Sequence, residues 1–339
     1  MIQDAIAQVL DGESLDRAQA HGVMDEIMRG DATQAQIAGF LVALRAKGET
    51  TDEIAGCAEA MREHVLPVHP TRDDVVDVVG TGGDGARTFN ISTVAAIVAA
   101  AAGAAVAKHG NRAVSSASGS ADVLEALGFQ LEQPPERIAE SIDRLGFGFM
   151  FAPAHHPAMR HAAPVRRELG TRTIFNLLGP LTNPAGVRAG IFGVYSPGLV
   201  RRIADVLVAL GSHRAYVVHG AHGIDELSPA GPNRACEVVN GTVTERTIDP
   251  AELGLARADA DELAGGTPEE NARTARELLA GAHGAKRDAV VLNAAGAIAA
   301  SGHAADLHDG LALAVEAIDS GRARERLDEL VAFSAESSG

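Results

Sequence analysis

Four glycines within six positions, Gly80, Gly82, Gly83 and Gly85, follow the β-branched run 75–79 without a break. A short apolar run punctuated this way reads as a buried strand ending in a tight loop. Glycine lets backbone N–H groups approach an anion closely, and a helix N-terminus adds unpaired donors and a favourable dipole. Asn90-Ile91-Ser92-Thr93 supplies cap-type residues before an alanine-rich helix expected over 94–102. A second short strand is expected over 104–107, followed by a polar basic loop, Lys108-His109-Gly110-Asn111-Arg112, and a hydroxyl-rich loop, 115–120. Lys108 and Arg112 bring charge, and Ser115, Ser116, Ser118 and Ser120 bring neutral donors. These turns suit a ligand carrying several phosphates.

Strand, loop, helix, strand, loop, helix is the layout of an α/β unit with a parallel sheet, whose ligands sit at the carboxyl ends of the strands. GTGGDG matches the G-x-G-x-x-G dinucleotide fingerprint, but a polar stretch intervenes before the helix and Lys108 stands where an acid is required. Gly80 and Gly85 have P-loop spacing, yet Ala86-Arg87 replaces the required Lys-Ser/Thr. Both nucleotide readings are rejected.

Farther along, Asp225-Glu226 occupies a glycine-flanked turn after an expected strand over 215–218. An acid pair in a turn is ordinarily solvated charge; beside a diphosphate cradle it suits Mg²⁺, which takes one or two carboxylates together with phosphate oxygens and water. Arg166 and Arg167 close a short expected helix, where the dipole alone accounts for either, although a guanidinium is also the natural fork for a planar carboxylate. His155, His156 and His161 match no zinc spacing, and lining an acceptor channel near Pro153 is the expected role. Arg167 is read as structural, and the glycines and prolines of 179–186 as a rigid turn or a loop near the acceptor.

GTGGDG, NIST, KHGNR and SSASGSADVLEALG, followed by FAPAHHPAMRHAAPVRRELGTRTIFNLLGPLTNP and HGIDELS, resemble the anthranilate phosphoribosyltransferases over nearly the whole chain. The resemblance implies phosphoribosyl pyrophosphate bound by Gly80, Gly83, Asp84, Thr88, Asn90, Ile91, Ser92 and Thr93, by Lys108, His109, Gly110, Asn111, Arg112, Ala113 and Val114, and by Ser115, Ser116 and Ser120. It implies anthranilate at Gly80, Asn111 and Arg166, and Mg²⁺ at Ser92, Asp225 and Glu226; where His222 stands, the family more often has an acid. No residue is assigned as general base, with His109 the candidate. The implied activity is Mg²⁺-dependent transfer of a 5-phosphoribosyl group to the anthranilate amine in tryptophan biosynthesis. A pyrimidine nucleoside phosphorylase, using free phosphate without magnesium, and a non-catalytic nucleic-acid binder are the rivals.

The elements that must position these residues set limits of their own. The chain of 339 residues is expected to form a small helical domain (1–66, joined by about 157–185 according to the resemblance), a hinge (67–74, marked by Pro67 and Pro70), and a large α/β domain (75–339) with a mostly parallel sheet flanked by helices. Asp31 is the expected cap of the third helix. Hydrophobic content of 46% suffices for a core, but aromatics at 3% leave packing to alanine and small aliphatics. A formal charge of −16 excludes nucleic-acid binding through a general basic surface. Two widely separated cysteines, Cys57 and Cys236, form neither a zinc motif nor a disulfide framework, consistent with a reducing, cytoplasmic setting. The longest apolar run, 94–107, is short of the roughly 20 residues a membrane span needs. A homodimer through the helical domain is implied by the resemblance.

Overall fold

The computed structural model describes residues 1–113 and 117–336. Helices α1 (Ile2–Leu10), α2 (Arg17–Arg29), α3 (Gln34–Lys47) and α4 (Thr51–Glu63) come first. Asp16, Thr33 and Thr50 each cap a helix reciprocally with Gln19, Gln36 and Glu53. The third helix is thus capped by Thr33 and not Asp31, because Asp31 is taken up in closing α2: its N–H donates to the Glu26 carbonyl (3.0 Å) and its carboxylate accepts from Arg29 (3.0 Å).

The α/β part follows as β1 (Val75–Gly80), α5 (Ile91–Ala101), β2 (Ala105–Gly110), α6 (Ser120–Ala126), α7 (Pro135–Leu145) and β3 (Phe147–Phe151). Short helices α8 (Ala152–His155), α9 (Ala163–Leu169) and α10 (Phe175–Leu178) lead to β4 (Ala189–Gly193), α11 (Leu199–Ala209), β5 (Arg214–His219), β6 (Asn233–Val239) and β7 (Thr242–Ile248). Helices α12 (Pro268–Leu279), α13 (Ala285–Ala300), α14 (Leu307–Asp319) and α15 (Arg322–Ala335) finish the described chain.

The seven strands form one sheet in the order β3-β2-β1-β4-β5-β6-β7. The first five are parallel, and β6 and β7 join antiparallel. Successive crossovers from β1 run toward β2 and β3, whereas the later strands add on the β4 side, so β1 and β4 flank the topological switch point where such sheets bind ligands. Alanine-rich α5 and α13 pack side by side against one face, an approach that small side chains permit. On the other side, Ala162, Val165, Phe175 and Leu178 share one apolar core with α1–α4 and with α11. The return segment thus lies against the N-terminal helices.

β2 runs to Gly110, pairing Lys108, His109 and Gly110 with Phe149, Met150 and Phe151. Lys108 and His109 are therefore strand residues, not loop residues as expected. Lys108 is 2% exposed. Its alkyl stem is buried as an apolar residue would be while the ammonium reaches the strand end, which is why a polarity pattern ends the strand too early.

Candidate functional site

A cleft of about 1070 Å³ opens at the carboxyl ends of β1 and β2. That is ample for two small ligands. The glycine loop, the start of α5 and the end of β2 line one side, and α8, α9, α10 and the 179–182 turn line the other, with Asp225 and Glu226 at its floor.

Asp225 crosses directly over the ends of β1 and β4. A Cβ on Gly80 would lie 2.3 Å from its Oδ2, and one on Gly193 would lie 1.5 Å from its carbonyl oxygen. Only glycine fits either position. Asp225 Oδ2 accepts the Gly82 N–H at 2.6 Å, Asp84 Oδ2 accepts the Asp225 N–H at 3.2 Å, and Glu226 Oε1 accepts the Ser92 N–H at 2.8 Å. Burial and the neighbouring Asp84 charge push the Asp225 carboxyl well above the usual carboxylate range; burial and Asp225 do the same to Glu226. Lys108 Nζ donates to the Val78 carbonyl (2.6 Å) and the Ser92 hydroxyl (3.3 Å), and burial lowers its pKa.

This group of hard oxygens, crowded with like charge, fits a divalent cation. Among the described residues no three His, Cys, Asp or Glu side chains converge to enclose one. The protein alone does not complete a shell, as suits Mg²⁺ shared with phosphate and water.

The acceptor side is different in kind. The Arg166 guanidinium lines the cleft over the Phe175 ring (5.1 Å to the centroid). No carboxylate among the described residues pairs with it, and burial is the one influence on its pKa, lowering it. His109 and His156 lie with ring centroids 4.9 Å apart, and the Nε2 of each has no partner among the described residues. Burial and the mutual influence of the rings bring His109 down to about 3, and burial brings His156 to about 4, so both are neutral at physiological pH. Since each binds a proton less readily folded than unfolded (ordinary value about 6.5), their contribution to stability is lost as pH falls below that value. His156→Gln removes one such group. Relative to the parent, its melting temperature is expected to gain steadily between about pH 6.5 and pH 4.5; a pH-independent difference contradicts the assignment.

Of the residues singled out in the sequence, Gly80, Gly83, Asp84, Thr88, Asn90, Ser92, Thr93, Lys108, His109, Gly110, Asn111, Arg112, Ala113, Ser120, Arg166, Asp225 and Glu226 line this cleft. Ile91 is buried behind it. Val114, Ser115 and Ser116 lie outside the described residues. Arg112 is engaged by Asp122 (3.0 Å) and Glu125 (2.8 Å), so its charge is already shared with two carboxylates. Of the three histidines, only His156 lines the cleft. His155 Nδ1 bonds the Leu66 carbonyl (2.8 Å), and His161 lies against Gly30.

Several supporting residues escape a reading of the sequence. Asp77, fully buried in β1, accepts from Asn183 Nδ2 (2.6 Å), which also donates to the Ala107 carbonyl, tying the acceptor turn to both central strands. Arg172 donates to the Gly83 carbonyl and stacks 4.2 Å from the Tyr195 ring centroid, pinning the glycine loop from the α9–α10 connection. Asn271 grips Asn90 from α12 (3.0 Å). Each of these contacts joins segments far apart in the chain, and no local pattern announces them.

The chain matches the helical bundle domain of the glycosyl transferase family over residues 3–65 and the family's a/b domain over residues 72–324. It is 56% identical to the anthranilate phosphoribosyltransferase of Anaeromyxobacter sp. (strain K) over 332 residues, 98% of each chain. The corresponding protein of Pelotomaculum thermopropionicum is 52% identical over 98% of this chain and 96% of its own. The crystal structure of anthranilate phosphoribosyltransferase from Thermus thermophilus superposes with a TM-score of 0.94 at 51% identity, covering 98% of this chain and 100% of that one. The Saccharomyces cerevisiae enzyme in complex with PRPP and Mg superposes at 0.88 and 30% identity, covering 98% of each chain. With both domains matched in order and identity above half across the full length, this chain belongs to the anthranilate phosphoribosyltransferases of the glycosyl transferase family.

Proposed function

We propose that the protein transfers the 5-phosphoribosyl group of phosphoribosyl pyrophosphate to the amine of anthranilate in a Mg²⁺-dependent reaction. The products are N-(5-phosphoribosyl)anthranilate and pyrophosphate, in L-tryptophan biosynthesis. The observation that carries this reading is one cleft with two unlike ends: an acid pair and a buried lysine at one, and at the other a guanidinium with no carboxylate partner among the described residues. The family and the yeast complex with PRPP and Mg support it.

In this reading Asp225, Glu226 and Ser92 hold the magnesium, which when bound neutralises negative charge on the diphosphate. The glycine loop and the start of α5 hold the phosphates, and Lys108 faces the charge that grows on the departing oxygens. Fixed charges and dipoles aimed at developing charge are ordinarily the largest catalytic contribution. Arg166 takes the anthranilate carboxylate with both arms of its fork, with Asn111 and the Gly80 backbone beside it, presenting the amine to the anomeric carbon. A carbon–nitrogen bond forms as the carbon–oxygen bond to pyrophosphate breaks, and the nitrogen then sheds its surplus proton. A protonated aryl amine is acidic enough that a weak base such as neutral His109, or the leaving pyrophosphate, suffices.

Mixed with Mg²⁺, phosphoribosyl pyrophosphate and anthranilate, the protein is expected to extinguish anthranilate fluorescence with one pyrophosphate released per anthranilate consumed. Fluorescence that persists, or that disappears equally with chelator present, contradicts the reading.

We also infer two domains, a helical one (1–66 with 157–185) and an α/β one (75–339), joined through a hinge at 67–74; the packing of α9 and α10 against the N-terminal helices supports grouping 157–185 with them, in a core that continues into α11 and the sheet. A homodimer through the helical domain is supported by the exposed Leu10 (70%) on α1 and Val42 (48%) on the adjacent α3. Light scattering is expected to give twice the chain mass, and Val42→Asp to lower it; a monomeric parent contradicts the dimer. The free, buried thiols of Cys57 and Cys236 suit the reducing cytoplasm. No helix among the described residues is long and apolar enough to cross a membrane.

A further inference from the structure

Asn90 stands at the N-terminus of α5, yet its side chain does not cap the helix. Its amide is engaged elsewhere. Nδ2 donates to the Ser118 carbonyl (3.1 Å), while Oδ1 accepts from the Ser118 hydroxyl (3.1 Å) and from Asn271 Nδ2 (3.0 Å). Asn90 thereby joins the turn before α5 to the turn before α6, two of the three walls of the donor end.

Asn271 lies in the first turns of α12, 3% exposed and outside the cleft lining. Its own Oδ1 accepts the Gly266 N–H at 2.8 Å. That contact fixes the amide's direction, with oxygen toward Gly266 and nitrogen toward Asn90. The segment leading into α12 runs beside the same turn. Phe89 N–H donates to the Leu263 carbonyl (3.0 Å), Gly265 N–H donates to the Arg87 carbonyl (2.9 Å), and Thr88 and Ala264 form an antiparallel bridge. A Cβ at Gly265 would come within 2.7 Å of the Phe89 backbone, so the strap is seated as closely as a chain can be.

We propose that Asn271, through Asn90, is a positioning residue for the phosphoribosyl pyrophosphate end of the cleft: it holds the pre-α5 and pre-α6 turns at the separation needed to grip the ligand together, without touching it. The inference rests on the phosphoribosyl-transfer reading. A donor N–H is required at Asn271 because the Asn90 oxygen it meets is an acceptor. A carboxylate of the same shape keeps the Gly266 contact but sets acceptor against acceptor. The Asn90 amide then turns over, its oxygen is set against the Ser118 carbonyl, and the donation to that carbonyl is lost.

The test is Asn271→Asp, with Asn271→Ala as a second variant that removes the donor without adding charge. Both KM values, the calorimetric Kd for phosphoribosyl pyrophosphate with Mg²⁺, and the melting temperature are measured. Donor KM and Kd are expected to rise about tenfold, as the loss of one well-made hydrogen bond gives. The anthranilate KM at saturating donor stays within about twofold, because Arg166, the charged partner of the acceptor, stands on α9 and not on either turn. An unchanged donor KM and Kd in both variants overturns the proposal. So does a parallel rise in both KM values with a collapsed melting temperature, the mark of a merely structural role. A parent that binds the donor without turnover sinks the transferase reading, and the Kd ratio still decides for or against Asn271.

Discussion

Replacing Asp225 by Asn together with Glu226 by Gln is expected to cut turnover by on the order of a thousandfold while raising the stability of the metal-free protein at alkaline pH. The two effects have one cause. Both carboxyls are forced together with Asp84 at the closed end of the cleft, and burial is the largest influence on each. A carboxyl whose folded pKa is raised holds its proton more tightly folded than unfolded, so the cost of ionising it appears as pH rises through the raised value. Amides remove that cost and keep an oxygen for the Gly82 and Ser92 N–H groups. In chelator, the melting temperature of the double variant should exceed the parent's by several degrees near pH 8.5, each kcal/mol being worth about 2 °C in a chain of this size. Near pH 5 the gap should close. A variant less stable than the parent at both pH values, or one turning over normally, contradicts the placing of these acids as charge held in readiness for a metal. Stability withheld at a site in this way is what a functional position costs its fold.

Arg166→Ala should raise the anthranilate KM by about 10- to 100-fold, the range for a charge-assisted hydrogen-bonding pair, and leave the donor KM within about threefold. The guanidinium has no carboxylate partner among the described residues, so truncation breaks no internal ion pair. Loss of fold is therefore not the expected route, and the melting temperature should hold. Arg166→Lys should recover little, since a point charge does not reproduce a planar fork. Equal effects on both substrates would mean that Arg166 shapes the cleft as a whole and does not read the acceptor.

The asymmetry between the two ends bears on what the chain reveals before it is folded. The donor end is written in contiguous stretches: glycines after a β-branched run, hydroxyls before helices, an acid pair in a turn. Each carries a local backbone requirement, and Gly80 shows why, because the space where its Cβ would sit belongs to Asp225. Lys108 is legible as a ligand-facing cation but not as a strand residue, since a buried strand position occupied by lysine breaks the apolar pattern that defines strands. The supports are invisible in the sequence. Asp77 reads as one more charge in a strand until Asn183 is seen against it, and Asn90 reads as an ordinary cap until Asn271 is seen to hold its oxygen. A polar residue buried for a partner a hundred residues away has no periodicity, and its reason exists only in the folded chain. The helical segments are legible because amphipathic spacing and capping pairs are local, although Asp31 and Thr33 each have a glutamine three residues on, and the choice falls to Thr33 only because Asp31 is held at the end of α2.

The central claim is that one divalent ion is shared between Asp225–Glu226 and the diphosphate of the donor, with the acceptor's carboxylate on Arg166 across the same cleft. The most direct measurement is a crystal structure of the protein with phosphoribosyl pyrophosphate, anthranilate and Mn²⁺ in place of Mg²⁺, the metal located by its anomalous scattering. The expected result is a peak within coordination distance of at least one of the two carboxylates and of a diphosphate oxygen, and an anthranilate carboxylate against Arg166. A metal bound away from both acids, or a diphosphate lying on the Arg166 side of the cleft, would contradict the account.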